Sequence, residues 1–307
     1  MIQIQQLLYF QKVAETKSMN KASALLYVTQ PNLSKQMQNL EKDLKVILFE
    51  RTNKGIVLTE AGKRLLDYTK AIVRQVELVN SISVENPVKY LSVSAYPDPA
   101  NRHFLERYYR KNRESNGEIL LDEQRIDAIL ANVESMHAEI GIIQYNQQQK
   151  KQLFSMIRNK NLEFHETVHD TWYAYMGNAH PLYGRAQVNI RELLQYPVLR
   201  AKDDFFSSLN YFHEIDGISF LEFKKHIFSN NVFTQIHMLR NTDAFSFGTN
   251  FVPDDYGNFG IRIVPIENCN VDVTLGWIKR KNETLSPEAR EFTEIMEEFF
   301  RERETNT

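Results

Sequence analysis

The stretch Thr29–Leu44, TQPNLSKQMQNLEKDL, decides how the first part of this chain is read. Thr29 stands where a helix N-cap belongs, with a hydroxyl able to accept a backbone N–H, and Pro31 falls in the first turn, where its missing N–H costs little. Leu33, Met37, Leu40 and Leu44 then recur at spacings of four, three and four, which lays one apolar stripe along a helix. The opposite face carries Gln30, Asn32, Ser34, Lys35, Gln36 and Gln38. Amides, a hydroxyl and a cation near a helix N-terminus are the groups that read base edges and phosphates in a major groove. A solvated helix face has the same make-up, so the flanking segments carry the decision.

Upstream, Leu7, Leu8, Phe10, Val13 and Ala14 form a helical stripe within Gln3–Thr16, and Lys17-Ser18-Met19-Asn20 interrupts it with turn-forming residues. Asn20 is expected to cap a short helix through Tyr27 with Ala22, Leu25 and Leu26 inward, and Val28-Thr29 turns tightly into the opening stretch. Two helices joined by so short a turn form a helix-turn-helix. Downstream, the β-rich runs Val46–Phe49 and Ile56–Leu58 flank Arg51-Thr52-Asn53-Lys54-Gly55, a hairpin with a basic tip, or wing. Thr59 caps the next helix, and the absence of Pro and Gly between Lys63 and Asn86 lets it run roughly 40 Å. Leu65, Tyr68, Ile72, Val76, Val79 and Ile82 make its seam, suited to a partner helix or to its own domain.

The run from Phe10 to Leu66 resembles the winged helix-turn-helix of LysR-type transcriptional regulators in order and spacing. Phe10, Val13-Ala14-Glu15, Ser18, Ala22, Leu25, Val28, Thr29-Gln30-Pro31, Leu33-Ser34, Gln36, Leu40-Glu41, Leu44, Leu48-Phe49-Glu50-Arg51 and Leu58-Thr59-Glu60-Ala61-Gly62 carry the likeness. Lys17 and Met19 stand where glycine and phenylalanine are common, Asn32 where alanine is usual, and Lys35 where arginine is frequent. The last change replaces a planar fork by a point charge. The resemblance implies a linker helix that pairs two subunits and sets two recognition helices about one duplex turn apart. Homodimers, and tetramers built as dimers of dimers, follow from it.

Charge agrees with that division. The net charge is −2, but residues 1–64 hold ten Lys/Arg against five Asp/Glu, or +5, and residues 65–307 hold 27 against 34, or −7. A basic module on a mildly acidic body assigns contact with a phosphate backbone to the first part alone. Cys269 is the only cysteine, which excludes an internal disulfide or a CxxC metal knuckle, and no apolar run reaches the length of a membrane span. A cytoplasmic protein without a membrane partner is expected.

After Asn86-Pro87 the pattern changes to alternating strands and helices. Strands are predicted at 90–95, 118–121, 139–143, 171–176, 197–200, 244–248 and 271–279, with helices at 101–112, 125–133, 190–194, 232–240 and 287–300. Such alternation indicates a parallel sheet with helices on both faces and ligands at the carboxyl ends of strands. The layout is similar to the family's effector domain, two α/β lobes joined by two crossover strands. The segment after the first strand, YPDPANRHFLERYY, departs from the family's pattern of small residues, so no ligand is carried over.

The expected fold is therefore an α/β multi-domain chain. It comprises a winged helix-turn-helix over 1–59, a linker and dimerisation helix over 60–87, and a two-lobed, periplasmic-binding-protein-like effector domain over 88–307. Lobe I takes 88–164 and 266–307, and lobe II takes 165–265. The function expected of it is sequence-specific binding of double-stranded operator DNA under control of a small molecule held between the lobes. DNA contact is assigned to Thr29, Gln30, Pro31, Asn32, Ser34 and Lys35, with Arg51, Asn53 and Lys54 on the wing. Effector contact is assigned to Tyr96, Asp98 and Asn101 after the first strand of lobe I, and in lobe II to Lys202, Asn231 before a helix, and Thr249 at a strand end.

His165-Glu166-Thr167-Val168-His169 spells the zincin motif HExxH and supports the competing reading, a metal-dependent or metabolite-binding α/β enzyme. That chemistry needs both imidazoles on one helix face, whereas β-branched Thr167-Val168 and the run that follows favour a strand. GxSxG, the P-loop and GxGxxG are all lacking. No catalytic residue, metal or cofactor is assigned.

Overall fold

Helices α1 (Ile4–Thr16), α2 (Met19–Leu25) and α3 (Gln30–Leu44) close around Leu7, Phe10, Val13, Ala22, Leu33, Met37, Leu40 and Leu48 in a computed structural model. The structure describes residues 2–52, 55–81, 89–252 and 256–305. Helix α2 starts at Met19 and is capped by Ser18, whose hydroxyl accepts the Lys21 N–H at 3.4 Å, so Asn20 is not the cap. Met19 and Leu26 pack on the same core, and their burial draws the helix ahead of its polar signal. Lys17 takes the left-handed conformation (φ 52°) that ends α1, which a residue with a Cβ adopts at a cost. Its carbonyl then accepts the Ile56 N–H at 3.1 Å and ties the wing to α1.

The wing pairs β1 (Phe49–Thr52) with β2 (Gly55–Leu58) in antiparallel register. Glu41 holds its base, accepting the N–H groups of Leu48 at 2.7 Å and Phe49 at 3.3 Å. Helix α4 (Glu60–Ser81) follows, with Thr59 accepting the Gly62 N–H at 3.0 Å and donating to the Ile47 carbonyl at 2.7 Å. A Cβ on Gly62 would lie 2.2 Å from the Leu48 carbonyl oxygen, so only glycine lets α4 begin this close to the wing. Thr69, Ala71 and Val73 are buried, while Tyr68, Ile72 and Val79 from the predicted seam are 50%, 40% and 64% exposed. Ile82 and the predicted end of this helix near Asn86 lie outside the described residues.

The remaining chain begins with β3 (Lys89–Ala95), α5 (Ala100–Asn112), β4 (Gly117–Glu123), α6 (Ile126–Glu134), β5 (Ile140–Asn146), α7 (Gln147–Asn159) and β6 (Leu162–Asp170). It continues through β7 (Tyr173–Gly177), α8 (Ile190–Leu193), β8 (Val198–Arg200), α9 (Phe205–Ser208), the small hairpin β9 (Glu214–Ile215) and β10 (Ile218–Ser219), and β11 (His226–Phe228). Helix α10 (Val232–Asn241), β12 (Phe245–Gly248), β13 (Ile261–Pro265), β14 (Val273–Arg280) and α11 (Pro287–Thr305) complete it. Two five-stranded sheets result, ordered β4-β3-β5-β14-β6 and β11-β8-β12-β7-β13. Pairs β3/β5, β8/β11 and β8/β12 are parallel, but β14 and β7 run antiparallel to their neighbours, so both sheets are mixed rather than parallel, because the chain enters each of these strands from the other sheet. The chain passes to the second sheet between Asp170 and Tyr173 and returns between Pro265 and Val273.

Helix α7 is absent from the sequence expectations. Its opening run QQQKKQ hides the apolar positions Leu153 and Ile157, both buried, and Asn146 starts it by accepting the N–H groups of Gln148 and Gln149. The segment carrying HExxH is a strand, as its β-branched residues predict, and it belongs to the first sheet as far as Asp170.

Candidate nucleic-acid interface and effector cleft

On α3, the buried stripe of Leu33, Met37 and Leu40 turns Pro31, Asn32, Lys35 and Gln38 fully outward, with Gln30 and Ser34 partly exposed. Thr29 holds the N-cap position, but its hydroxyl accepts no helix N–H, contrary to the sequence reading. The side chain is exposed instead, free to meet a phosphate. Gln36 is drawn sideways into a 3.4 Å hydrogen bond from Gln6. Arg51 pairs with Ile56 through its backbone in the wing, and Asn53 and Lys54 lie outside the described residues. Tyr27, before α3, is 97% exposed in the left-handed region at φ 54°.

In the effector region, the loops at the carboxyl ends of the parallel strands meet across the two sheets. After β3, Asp98 accepts the Ala100 N–H at 2.8 Å and so closes the N-terminus of α5 with a carboxylate. Asn101, 1% exposed, donates through Nδ2 to the Tyr96 carbonyl at 2.8 Å and to Glu123 Oε1 at 3.0 Å. Burial, the nearby Glu123 and, more weakly, Asp170 push Asp98 up to about 6, against the Ala100 N–H and Arg102. Burial also raises the Tyr96 phenol, with Asp204 and Asp98 adding to the effect and Arg125 opposing it.

Across the cleft, Arg125 Nη1 meets Asp204 Oδ2 at 2.6 Å, and Nη2 donates to the Lys202 carbonyl. Burial works against the Asp204 charge, but the Ser207 N–H and Arg125 hold it below its ordinary range. Asn146 donates to Asn210 Oδ1 at 2.8 Å and Gln149 to the Phe206 carbonyl at 2.9 Å, a second tie between the lobes. At the crossover, Asp170 accepts the N–H groups of Thr171 and Asn250, and Tyr175 donates to the Thr249 carbonyl. Gly248 allows this last contact, since a Cβ there would stand 2.5 Å from the Tyr175 ring.

The HExxH residues do not converge. His165 stacks on Trp277 with ring centroids 3.9 Å apart, whereas His169 Nε2 meets Glu166 at 2.7 Å and its Nδ1 lies 3.2 Å from Thr274 and 3.4 Å from Asp272. A bulge in the pairing of β6 with β14 falls between the two histidines, so each is committed to a different partner on β14. The zinc-enzyme reading requires a helix here and loses its geometric basis.

Residues 4–63 match the bacterial regulatory helix-turn-helix proteins of the lysR family, and residues 91–301 match the LysR substrate binding domain. The chain is a LysR-family transcriptional regulator. The HTH-type transcriptional regulator YbhD of Escherichia coli (strain K12) is 24% identical over 301 residues, covering 92% of this regulator and 87% of YbhD. The RuBisCO operon transcriptional regulator of Allochromatium vinosum is 31% identical over 155 residues, 45% of this chain and 51% of its own. Among solved structures, CbnR, a LysR family transcriptional regulator, superposes with a TM-score of 0.65 at 18% identity, covering 97% of this chain and 99% of that one. Full-length OxyR from Pseudomonas aeruginosa gives 0.62 at 17% identity, covering 98% and 95%. These likenesses establish the fold, and the family is one of DNA-binding regulators rather than enzymes.

Of the effector residues named from this regulator's sequence, Tyr96, Asp98 and Asn101 stand together. Thr249 is buried and accepts the Tyr175 hydroxyl through its carbonyl, and exposed Lys202 accepts Arg125 through its own carbonyl. Asn231 spends its side chain capping α10, accepting the Thr234 N–H at 2.9 Å, so that helix end does not present an open anion site. Glu123, Arg125 and Asp170 stand beside these residues and were not among the candidates, whereas Asp204 lies in the loop with Lys202. Each follows or ends a strand, and the rule that ligands gather at strand ends would have found them had the register been known.

Proposed function

We propose that this regulator binds an operator as a homodimer and that a small molecule held between its lobes adjusts how the two DNA-binding units sit. Gln30, Pro31, Asn32, Ser34 and Lys35 meet bases and adjacent phosphates, Thr29 meets a phosphate, and Arg51, Asn53 and Lys54 track the backbone or minor groove. The domains follow the expected limits, 1–59 for DNA binding, 60–87 for the linker and 88–307 for the effector, in a cytoplasmic protein whose dimers pair into tetramers. The observation that carries the reading is α3 itself, with an apolar stripe fully buried and a polar face turned outward beside a wing. The exposed apolar positions Tyr68, Ile72 and Val79 on α4 supply a face for the second subunit. Full-length CbnR, in a structure 20% identical to this chain with a TM-score of 0.51, is described in complex with its target DNA.

Footprinting on the promoter regions beside its own gene, with and without candidate metabolites, tests the proposal. A protected two-fold site whose pattern changes with one metabolite is the expected result. Protection no stronger than that of random DNA, by less than about a thousandfold at physiological salt, refutes sequence-specific recognition.

A further inference from the structure

The groups around Asp98 specify the charge of the effector. The N-terminus of α5, where an anionic ligand would find free N–H groups, is already closed by Asp98 Oδ1 on the Ala100 N–H and by the Asp98 carbonyl on the Asn101 N–H at 3.1 Å. An anion arriving there meets a carboxylate, with Glu123 and Asp170 acting on the same spot. Of the cations nearby, Arg125 is committed to Asp204 and the Lys202 carbonyl and Arg200 to Asp203 at 2.8 Å, while the Lys202 side chain is exposed. Arg102 is exposed on the flank of α5.

The hydrogen-bond inventory points the same way. Asn101 is 1% exposed, and its orientation is set, because Nδ2 faces two acceptors, the Tyr96 carbonyl and Glu123; reversing the amide would put oxygen against oxygen. Its Oδ1 is then a buried acceptor with no donor among the described residues, and Asn250 Oδ1 is another in the loop after β12. Buried acceptors left without donors are costly, and a ligand rich in N–H groups would satisfy them.

We propose that the effector is a small organic cation, an ammonium or guanidinium compound, received by the Asp98 and Glu123 carboxylates and by Asn101 Oδ1. The proposal rests on the interlobe reading above and adds the chemical class. The desolvated Asp98 carboxylate, with the exposed Glu123 carboxylate beside it, gives a cation its affinity and repels carboxylate ligands of the same shape, so the site selects by charge before it selects by shape.

The test uses the full chain and a five-carbon series differing only in its ends: cadaverine, pentanediol and glutarate, with agmatine as the guanidinium member. Binding is read by thermal shift and by calorimetry. Cadaverine or agmatine stabilises the protein while glutarate and pentanediol do not, and Asp98→Asn weakens that binding about thirtyfold or more. Asn101→Leu weakens it as well, and both variants retain a cooperative unfolding transition. Binding of glutarate in place of the amines, abolished by Asn101→Leu, overturns the charge assignment and leaves the interlobe site standing. Amine binding unchanged in both variants places the ligand elsewhere and overturns both readings. No shift from any amine at millimolar concentration overturns the charge assignment.

Discussion

Replacing Asp98 by asparagine is expected to stabilise the empty effector region at neutral pH, and the size of the effect follows from its surroundings. The carboxyl is pushed from its ordinary value of 3.8 up to about 6, chiefly by burial and then by Glu123, with the Ala100 N–H and Arg102 pulling the other way. A carboxyl whose folded pKa lies above its unfolded one favours the protonated form in the native state. Its contribution to stability is complete below about pH 4 and is lost as pH rises toward and past 6. The difference corresponds to up to about 3 kcal/mol at pH 7.5, and about half of that at pH 5. Asparagine is neutral throughout and keeps an oxygen for the Ala100 N–H. Trp172 and Trp277 are the only tryptophans, both buried in the effector region, so urea titrations followed by their fluorescence report on this region alone. The gain from Asp98→Asn should shrink on going from pH 7.5 to pH 5. A variant that loses stability at both pH values, or gains equally at both, refutes the argument that a desolvated charge is held here.

Four further outcomes are expected. Lys35→Ala weakens operator binding and makes the dependence of log affinity on log salt shallower by about one counterion; an unchanged slope excludes a phosphate contact there. Tyr27→Asn, placing a residue that tolerates the left-handed region at φ 54°, stabilises the N-terminal unit by up to about 1 kcal/mol, read as slower amide exchange in α2 and α3. His213 is 2% exposed beside Trp172, and burial lowers it to about 4. As a base with a depressed folded pKa it leaves stability intact above about pH 6.5 and removes up to about 3 kcal/mol as pH falls toward 4, so His213→Phe should abolish that acid sensitivity of the tryptophan signal. Ile72→Glu, on the exposed face of α4, shifts the sedimentation boundary toward monomer and weakens operator binding with it; an unaltered boundary excludes that face from subunit pairing.

The elements legible in the sequence share a property: their pattern is local. The spacing of Leu33, Met37 and Leu40 states its own geometry within a few residues, and so does the wing hairpin, although its first strand runs Phe49–Thr52 rather than Val46–Phe49. Thr167-Val168 likewise rules out a helical HExxH without reference to the rest of the chain. Helix α7 was missed because its first turn is polar and its start depends on Asn146, which caps it only once β5 has ended there. The start of α2 shifted to Ser18 because Met19 gains burial against a core assembled from three helices.

The candidate effector cleft divides along the same line. Tyr96, Asp98 and Asn101 could be singled out because they lie in the short loop after a strand and in the first turn of the helix that follows it. Glu123 with Arg125, Asp170, and Asp204 come from three separate places in the chain, and sequence spacing does not record which loops two sheets bring together. By itself the sequence determined the family, the recognition helix with its polar face, and the alternation of strands and helices, since each is written in periodicities of a few residues. Only the tertiary structure decided that Asp98 closes its own helix, that Arg125 is neutralised by Asp204, and that Asn101 keeps a buried acceptor without a donor. Charge balance and hydrogen-bond satisfaction are properties of neighbours in space, and in this protein those neighbours lie up to about eighty residues apart along the chain.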